Sequence, residues 1–254
     1  MNEGRFTGKA DIYRKFRSSY PKELIDYLYV QVGFKESSVI ADIGSGTGIF
    51  SRLLLERGSR VYCVEPNEDM RRAAERDLGG ADGFEGFVSI NASADDIELG
   101  EESVDFVTAA QAFHWFDRAS FQKECRRILK NGGKVVLVWN VRDFEHEIVK
   151  RDYVIREKYC VDRKGFGEAG GPPKDCTSFF ADAKCEVKKF RNDLVLDREG
   201  YIGMNLSRSY APKEDAHPEQ YRGLVRELGV LFDEYGEDGI MRFPQFTQSF
   251  AGYI

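Results

Sequence analysis

The run Asp42-Ile43-Gly44-Ser45-Gly46-Thr47-Gly48 constrains this chain more than any other. It lies between an apolar run, Ser38 to Ile43, and a helical pattern carrying Phe50, Leu53 and Leu54. Glycines at alternate positions suit a strand-to-helix turn for two reasons. Backbone angles in such a turn are often forbidden to other residues, and a ligand there approaches the main chain closely. Gly58 ends the helix, and Arg60 to Glu65 reads as a second strand. Glu65 closes that strand, twenty-one residues after Gly44. In a doubly wound sheet this position faces the same crevice as the loop, and a carboxylate there accepts hydrogen bonds from both ribose hydroxyls.

The unit reads as a nucleoside site, with a tight turn beside an ordinary surface glutamate as the plain alternative. A dinucleotide fingerprint, GxGxxG, requires its third glycine at position 49, which is Ile49 here. A phosphate-binding loop ending in Gly-Lys-Ser/Thr is also missing. No feature specifically calls for a phosphate.

Strands and helices alternate from about residue 21 to residue 160, which predicts a parallel α/β sheet. A first helix follows Pro21 and stops at Gly33, with Leu24, Ile25, Leu28 and Val32 on one face. The next helix begins near Glu68, and Phe87 to Ile90 and Val104 to Thr108 read as strands three and four. Phe121, Cys125, Ile128 and Leu129 mark another helical face, Asn131-Gly132-Gly133 a turn, and Lys134 to Trp139 a fifth strand. Beyond residue 141 comes a polar helix, roughly 144 to 160. A Gly- and Pro-rich stretch, 164 to 173, then reads either as an inert connection or as a lid. Glu186 to Val195 is predicted as a strand, Tyr221 to Tyr235 as an amphipathic helix, and Ile240 to Tyr253 as a single last strand.

Composition narrows the function classes. Hydrophobic residues make up 42% of the 254, enough for a sizeable core and against intrinsic disorder. A net charge of −6 argues against phosphate-backbone contacts and against an anionic membrane as partner. The longest clean apolar run, Val135 to Trp139, falls far short of the ~20 residues a membrane span needs. A polar N-terminus does not read as a signal peptide, so a cytoplasmic protein is expected. Five cysteines without CxxC spacing and three scattered histidines predict no disulfide framework and no metal centre.

The segment Val39 to Gly48 resembles motif I of the class I S-adenosylmethionine-dependent methyltransferases. Asn91 to Asp96, Ser103 to Gln111 and Leu129 to Val135 resemble later motifs of that family. Phe6-Thr7-Gly8, Tyr20-Pro21, His114-Trp115-Phe116-Asp117 and Ser207 to Pro212 are similar to its small-molecule subgroup of the trans-aconitate methyltransferase type. The resemblance implies a Rossmann-like, seven-stranded, mostly parallel sheet with an antiparallel last strand, helices on both faces and a small cap. It implies one methyltransferase domain over 1–254, with a cofactor core at 38–140 and acceptor-choosing cap elements at 1–37 and about 141–215. S-adenosylmethionine is the implied cofactor, leaving as S-adenosylhomocysteine. The implied contacts are Asp42, Gly44, Ser45 and Gly46 of the loop, Glu65 and Pro66 at the ribose, Ala94 and Asp95 at the adenine, and Gln111 near the methionine part. Tyr13 and Arg17 are placed over the cofactor, Arg17 near its carboxylate. Asp95 stands where the family usually has Glu.

Methyl transfer is a displacement that mainly needs the two reactants held in line. A carboxylate acceptor needs no general base, whereas a hydroxyl or ammonium does. His114 is the candidate base or acceptor-binding group, or else a structural histidine beside Trp115. Trp115 and Trp139 read equally as pocket walls or as core. Arg208 and Tyr210 read as binders of an anionic acceptor or as a helix-end hydrogen-bond cluster. The expected reaction is methylation of a small molecule, with carboxylate O-methylation leading. A cofactor-binding but silent partner or sensor remains open. A nicotinamide-dependent oxidoreductase is disfavoured by Ile49.

Overall fold

The computed structural model describes residues 19–80, 84–161, 171–208 and 210–254. Two compact units emerge. The first holds the described residues up to Trp139, with Pro172–Phe190 and Thr247–Ile254. The second holds those of Asn140–Gly171 and Arg191–Phe246.

A seven-stranded sheet organises the first unit. Its strands are β1 (Val39–Ile43), β2 (Arg60–Val64), β3 (Phe87–Ile90), β4 (Val104–Ala110), β5 (Leu129–Arg142), β6 (Glu186–Arg191) and, after two strands of the second unit, β9 (Gln245–Gly252). The order is β3-β2-β1-β4-β5-β9-β6, mostly parallel with one antiparallel strand, as the Rossmann-like expectation has it. Ile40, Ala41 and Ile43 are all buried. Successive strand residues point to opposite faces, so both faces of β1 are covered.

Strand order reverses between β1 and β4, which pair in parallel with Asp42 opposite Thr108. Ligands of such sheets bind at the carboxyl ends of the strands flanking the reversal. Here the glycine loop leaves β1 and Gln111 leaves β4 at that edge.

Helix α1 (Lys22–Tyr27) starts after Pro21 and continues as a π-turn, Leu28–Val32. Gly33 and Phe34 both donate to the Leu28 carbonyl, and Gly33 takes the left-handed φ of 107° that ends the helix. Leu24, Leu28 and Phe34 join Ile40, Leu54, Val61 and Val138 in one buried cluster, so residues 24–34 belong to the core of this unit. Helices α2 (Ile49–Leu55), α3 (Glu68–Leu78) and α4 (Arg118–Ile128) complete the crossovers. Asn67 and Asp117 cap the last two through backbone N–H groups of Met70 and Ser120.

The second unit packs α5 (Glu147–Tyr159), α6 (Arg198–Leu206) and α7 (Pro218–Tyr235) with an antiparallel pair, β7 (Leu194–Asp197) and β8 (Ile240–Phe243). Leu224, Leu228, Leu231 and Phe232 of α7 are buried with Val149, Tyr201 and Phe243. A Cβ at Gly223 would lie 2.4 Å from the Tyr159 ring, so α7 meets α5 through a glycine.

Three element boundaries differ from the sequence reading. The expected last strand, 240 to 253, is two strands in two sheets, β8 and β9, divided at Pro244. Proline has no N–H for a ladder, so the run breaks there although its apolar pattern continues. The expected strand from Glu186 to Val195 likewise divides into β6 and β7 around Asn192-Asp193. The Asn131-Gly132-Gly133 turn lies inside β5 as an irregularity, with Val104 opposite Leu129 but Phe106 opposite Lys134.

Candidate functional site

The loop after β1 is shaped by three left-handed glycines, Gly44 (φ 67°), Gly46 (57°) and Gly48 (77°). They do different work. A Cβ on Gly44 would lie 2.6 Å from the Ala112 Cβ and 3.2 Å from Phe116, so the loops after β1 and β4 are packed against one another there. A Cβ on Gly48 would lie 2.6 Å from Leu78. At Gly46 no heavy atom of the described residues lies within 4 Å of that position. Among the described residues, the Gly46 side of the loop is therefore bare backbone.

Glu65 closes over this loop. Its Oε2 accepts the Gly46 N–H at 2.9 Å, and its Oε1 accepts the Asn67 N–H at 2.9 Å. A carboxylate oxygen can accept more than one hydrogen bond. The Gly44 and Ser45 N–H groups both donate to the Val64 carbonyl, fixing the loop to the end of β2. Arg71 of α3 donates from Nη1 to the Glu65 and Pro66 carbonyls and to Asn91 Oδ1. One guanidinium thus ties the end of β2 to the segment after β3, where Ala94 is half-buried and Asp95 exposed in a turn.

Asp42 sits beneath the loop, fully buried. Ser51 of α2 donates to its Oδ2 at 2.6 Å and Thr108 of β4 to its Oδ1 at 2.8 Å. The carboxylate therefore joins β1, α2 and β4, the three elements that frame the loop. Burial pushes its carboxyl up to about 6, against the two hydroxyl donors and with a further push from Glu65. A raised folded pKa means the native state holds a proton that the unfolded chain has released. Stability contributed at Asp42 is thus present at low pH and falls as pH rises from about 4 to about 6. Asp42→Asn removes this titration. In denaturant unfolding, the variant should gain on the order of 3 kcal/mol on the wild type between pH 4 and pH 7, because each pH unit separating the folded and unfolded pKa contributes about 1.36 kcal/mol. A gap independent of pH would contradict the assignment.

At the end of β4, Gln111 has a left-handed φ of 58°, held by its N–H bond to the Val138 carbonyl of β5. His114 and Trp115 follow in a short 3-10 turn, both exposed, their rings 4.7 Å apart. Trp139 is entirely buried and packs edge-on against Phe113 and Phe250, the core placement of its two readings.

The first unit thus brings together Asp42, Gly44, Ser45, Gly46, Glu65 and Pro66 around one loop, with Gln111 on the neighbouring strand end. Arg208 and Tyr210 lie in the second unit. There Tyr210 is buried, and its hydroxyl accepts from Arg156 Nη1 at 2.6 Å. Arg156 and Arg142 both bond Asp152 Oδ2, at 2.7 and 2.8 Å, and Tyr201 donates to Asp152 Oδ1 at 2.8 Å. Burial alone would raise the Asp152 carboxyl, but the two guanidinium groups hold it below the usual carboxylate range. Tyr13, Arg17 and most of the 164–173 stretch lie outside the described residues. Among the described residues no group of three or more His, Cys, Asp or Glu is placed to hold a metal, and no helix is long and apolar enough to cross a membrane.

Sequence reasoning missed Ser51, Thr108, Arg71 and the cluster around Asp152. The only local signal was Asp152 and Arg156, spaced to share a helix face.

A nucleoside fits the loop. Gly46 presents open space, and the buried hydroxyl oxygens of Ser45 and Thr47 find no hydrogen-bond partner among the described residues. Buried polar atoms are normally satisfied, so an outside partner is the economical account.

Sheet order and loop together define a Rossmann-like fold with a glycine loop at the strand-order reversal. Residues 41–137 match the family model described as a methyltransferase domain. An uncharacterized methyltransferase of Mycobacterium tuberculosis (strain ATCC 25618 / H37Rv) is 36% identical over 138 residues, 54% of this chain and 53% of that protein. An uncharacterized methyltransferase-like protein of Schizosaccharomyces pombe is 32% identical over 163 residues, 63% of this chain and 61% of that protein. The chain thus spans a little over half the length of the curated relatives it matches. Among solved structures, a protein of Anaeromyxobacter dehalogenans provisionally described as a type II methyltransferase superposes with a TM-score of 0.63 at 24% identity. That match covers 94% of this chain and 98% of the other, and it speaks to the fold.

Proposed function

We propose that the chain is an S-adenosylmethionine-dependent methyltransferase acting on a small molecule. The observation that carries this is the Glu65 carboxylate stretched over the bare backbone of Gly46 at the strand-order reversal. The methyltransferase-domain match over 41–137 supports it.

When bound, S-adenosylmethionine supplies a methyl group on a positively charged sulfur. Glu65 would accept the ribose hydroxyls, and Gly44 to Gly46 would let the ligand lie against the main chain. Ala94 and Asp95 would flank the adenine, and Gln111, Tyr13 and Arg17 would hold the methionine end. His114 and Trp115 are assigned to the acceptor side. The proposed acceptor is a carboxylate, as in the trans-aconitate methyltransferase subgroup that the sequence motifs resemble. No proton then has to leave, so His114 acts as a positioning group. The element at about 141–215 is proposed to choose the acceptor.

Calorimetric titration with S-adenosylhomocysteine, with NADH in parallel, tests the reading. Binding of the first alone is expected. Binding of NADH alone, or of neither, overturns it. Gly46→Ala sharpens the test. Its Cβ meets no atom of the described residues, so the fold should survive with the ~1–2 kcal/mol cost of a left-handed alanine, while S-adenosylhomocysteine binding weakens at least ~10-fold. Normal affinity in that variant would remove Gly46 from the site.

A further inference from the structure

Arg71 of α3 makes contacts that the packing of its helix does not require. Met70, Ala73, Ala74 and Leu78 already bury one face of α3, and Asn67 caps it. The Arg71 side chain, 16% exposed, reaches instead to the carboxyl edge of the sheet. Its Nη1 donates to the Glu65 and Pro66 carbonyls at 3.0 and 3.3 Å and to Asn91 Oδ1 at 3.0 Å. The pairing of β2 with β3 ends at this level: Val64 lies opposite Ile90, and the Glu65 N–H donates to the Ile90 carbonyl at 3.1 Å. Asn91, exposed, is the first residue beyond it. One turn further along α3, Glu75 accepts from the Ser89 hydroxyl of β3 at 2.6 Å. At the far end of the run 91–97, the Ile97 N–H donates to Glu124 Oε2 at 2.9 Å, and the Ile97 carbonyl accepts from Arg127 Nη2 at 2.6 Å. Side chains of α3 thus hold the start of this run, and side chains of α4 hold its end.

We propose that Arg71 is a positioning residue for the base of the bound nucleoside: by holding Asn91 it places residues 91–97, and so gives the site its preference for a 6-aminopurine. The base and the C5′ chain leave a ribose on opposite sides of its hydroxyl pair. With the hydroxyls on Glu65 at the end of β2 and the chain running toward Gln111 of β4, the base falls toward β3, the other neighbour of β2. Asp95 lies within the held run. A carboxylate accepts from an exocyclic amine and repels a carbonyl oxygen in the same place. How well Asp95 tells the two apart depends on where the run is held, and the rigid guanidinium fork of Arg71 holds it at one end. That a nucleoside occupies this crevice is the reading proposed above, and the role of Arg71 rests on it.

The test titrates the whole chain calorimetrically with S-adenosylhomocysteine and with S-inosylhomocysteine, which carries a carbonyl oxygen where adenine has its amine. The wild type should bind the adenosyl ligand at least ~10-fold more tightly, the worth of one hydrogen bond to a charged group. Arg71→Met removes the donors, and Asn91→Ala removes only the acceptor at the start of the run. Each should cut the ratio of the two affinities roughly 5-fold, the loss that one hydrogen bond brings. Asn91→Asp keeps an acceptor for the guanidinium and should hold the ratio within ~2-fold of the wild type. A direct contact between the Asn91 amide and the base would be lost in that variant. A ratio in Asn91→Asp as low as in Asn91→Ala would therefore overturn the assignment to Arg71. Because Asn91 is exposed, its variants should fold, and they decide the matter if Arg71→Met does not. If S-adenosylhomocysteine fails to bind the wild type, the methyltransferase reading falls. If both ligands bind the wild type equally, there is no base preference to position, and the role of Arg71 alone falls. An unchanged ratio in a folded Asn91→Ala would overturn it as well.

Discussion

Glu65→Ala should weaken S-adenosylhomocysteine binding roughly 100-fold or more. Each hydrogen bond to a charged group contributes about 1.5–3 kcal/mol, and two ribose hydroxyls would be lost at once. The same substitution frees the N–H groups of Gly46 and Asn67 that Glu65 now holds. The loop thus loses its internal tie as well as its ligand contact. Glu65→Gln separates the two effects. An amide still offers one acceptor oxygen, so the variant should bind more tightly than Glu65→Ala and less tightly than the wild type. Calorimetry of both variants, with far-UV circular dichroism to confirm folding, decides the matter. Wild-type affinity in a folded Glu65→Ala would refute the ribose assignment.

The largest effect on stability is expected from Asp152→Ala. The substitution removes the one carboxylate shared by Arg142 and Arg156 and leaves two buried guanidinium groups facing each other. Breaking a buried ion pair from one side costs about 3–5 kcal/mol. The Tyr201 hydroxyl loses its acceptor in the same step. Denaturant unfolding followed by circular dichroism should show the loss as a lower midpoint. In the wild type, Asp152 has a folded pKa below its unfolded one, so its contribution is complete above about pH 4 and is lost as pH falls through the folded value. The variant should lack that acid-side slope. A midpoint within experimental error of the wild type would mean that the cluster carries no net stabilisation.

The two clusters were not equally legible in the sequence. Gly44, Gly46 and Glu65 could be read because the information is local: a strand, a turn that demands positive φ, and an acid one strand later. Asp42 could be placed but not understood, because Thr108 meets it only once β1 and β4 are paired and Ser51 only once α2 folds back over the loop. Arg142, Tyr201 and Tyr210 come from separate stretches of chain, and no spacing rule joins them to Asp152 and Arg156. Pro244 was visible, yet the apolar pattern on both sides masked its consequence. Trp139 showed the limit of composition, since an aromatic beside a site and an aromatic in a core read identically until burial is known.

The sheet is assembled out of chain order. β1 to β4 find their neighbours within about a hundred residues, whereas β5 and β6 are not partners and are separated in the sheet by β9. Until residues 245–252 arrive, the N–H and C=O groups along one side of β5 have no strand to pair with. During synthesis, that edge stays open for most of the ribosome's transit of the second unit. Such an edge is a template for pairing with another chain. Pairing of β5 with another chain therefore competes with its own folding until β9 takes its place between β5 and β6.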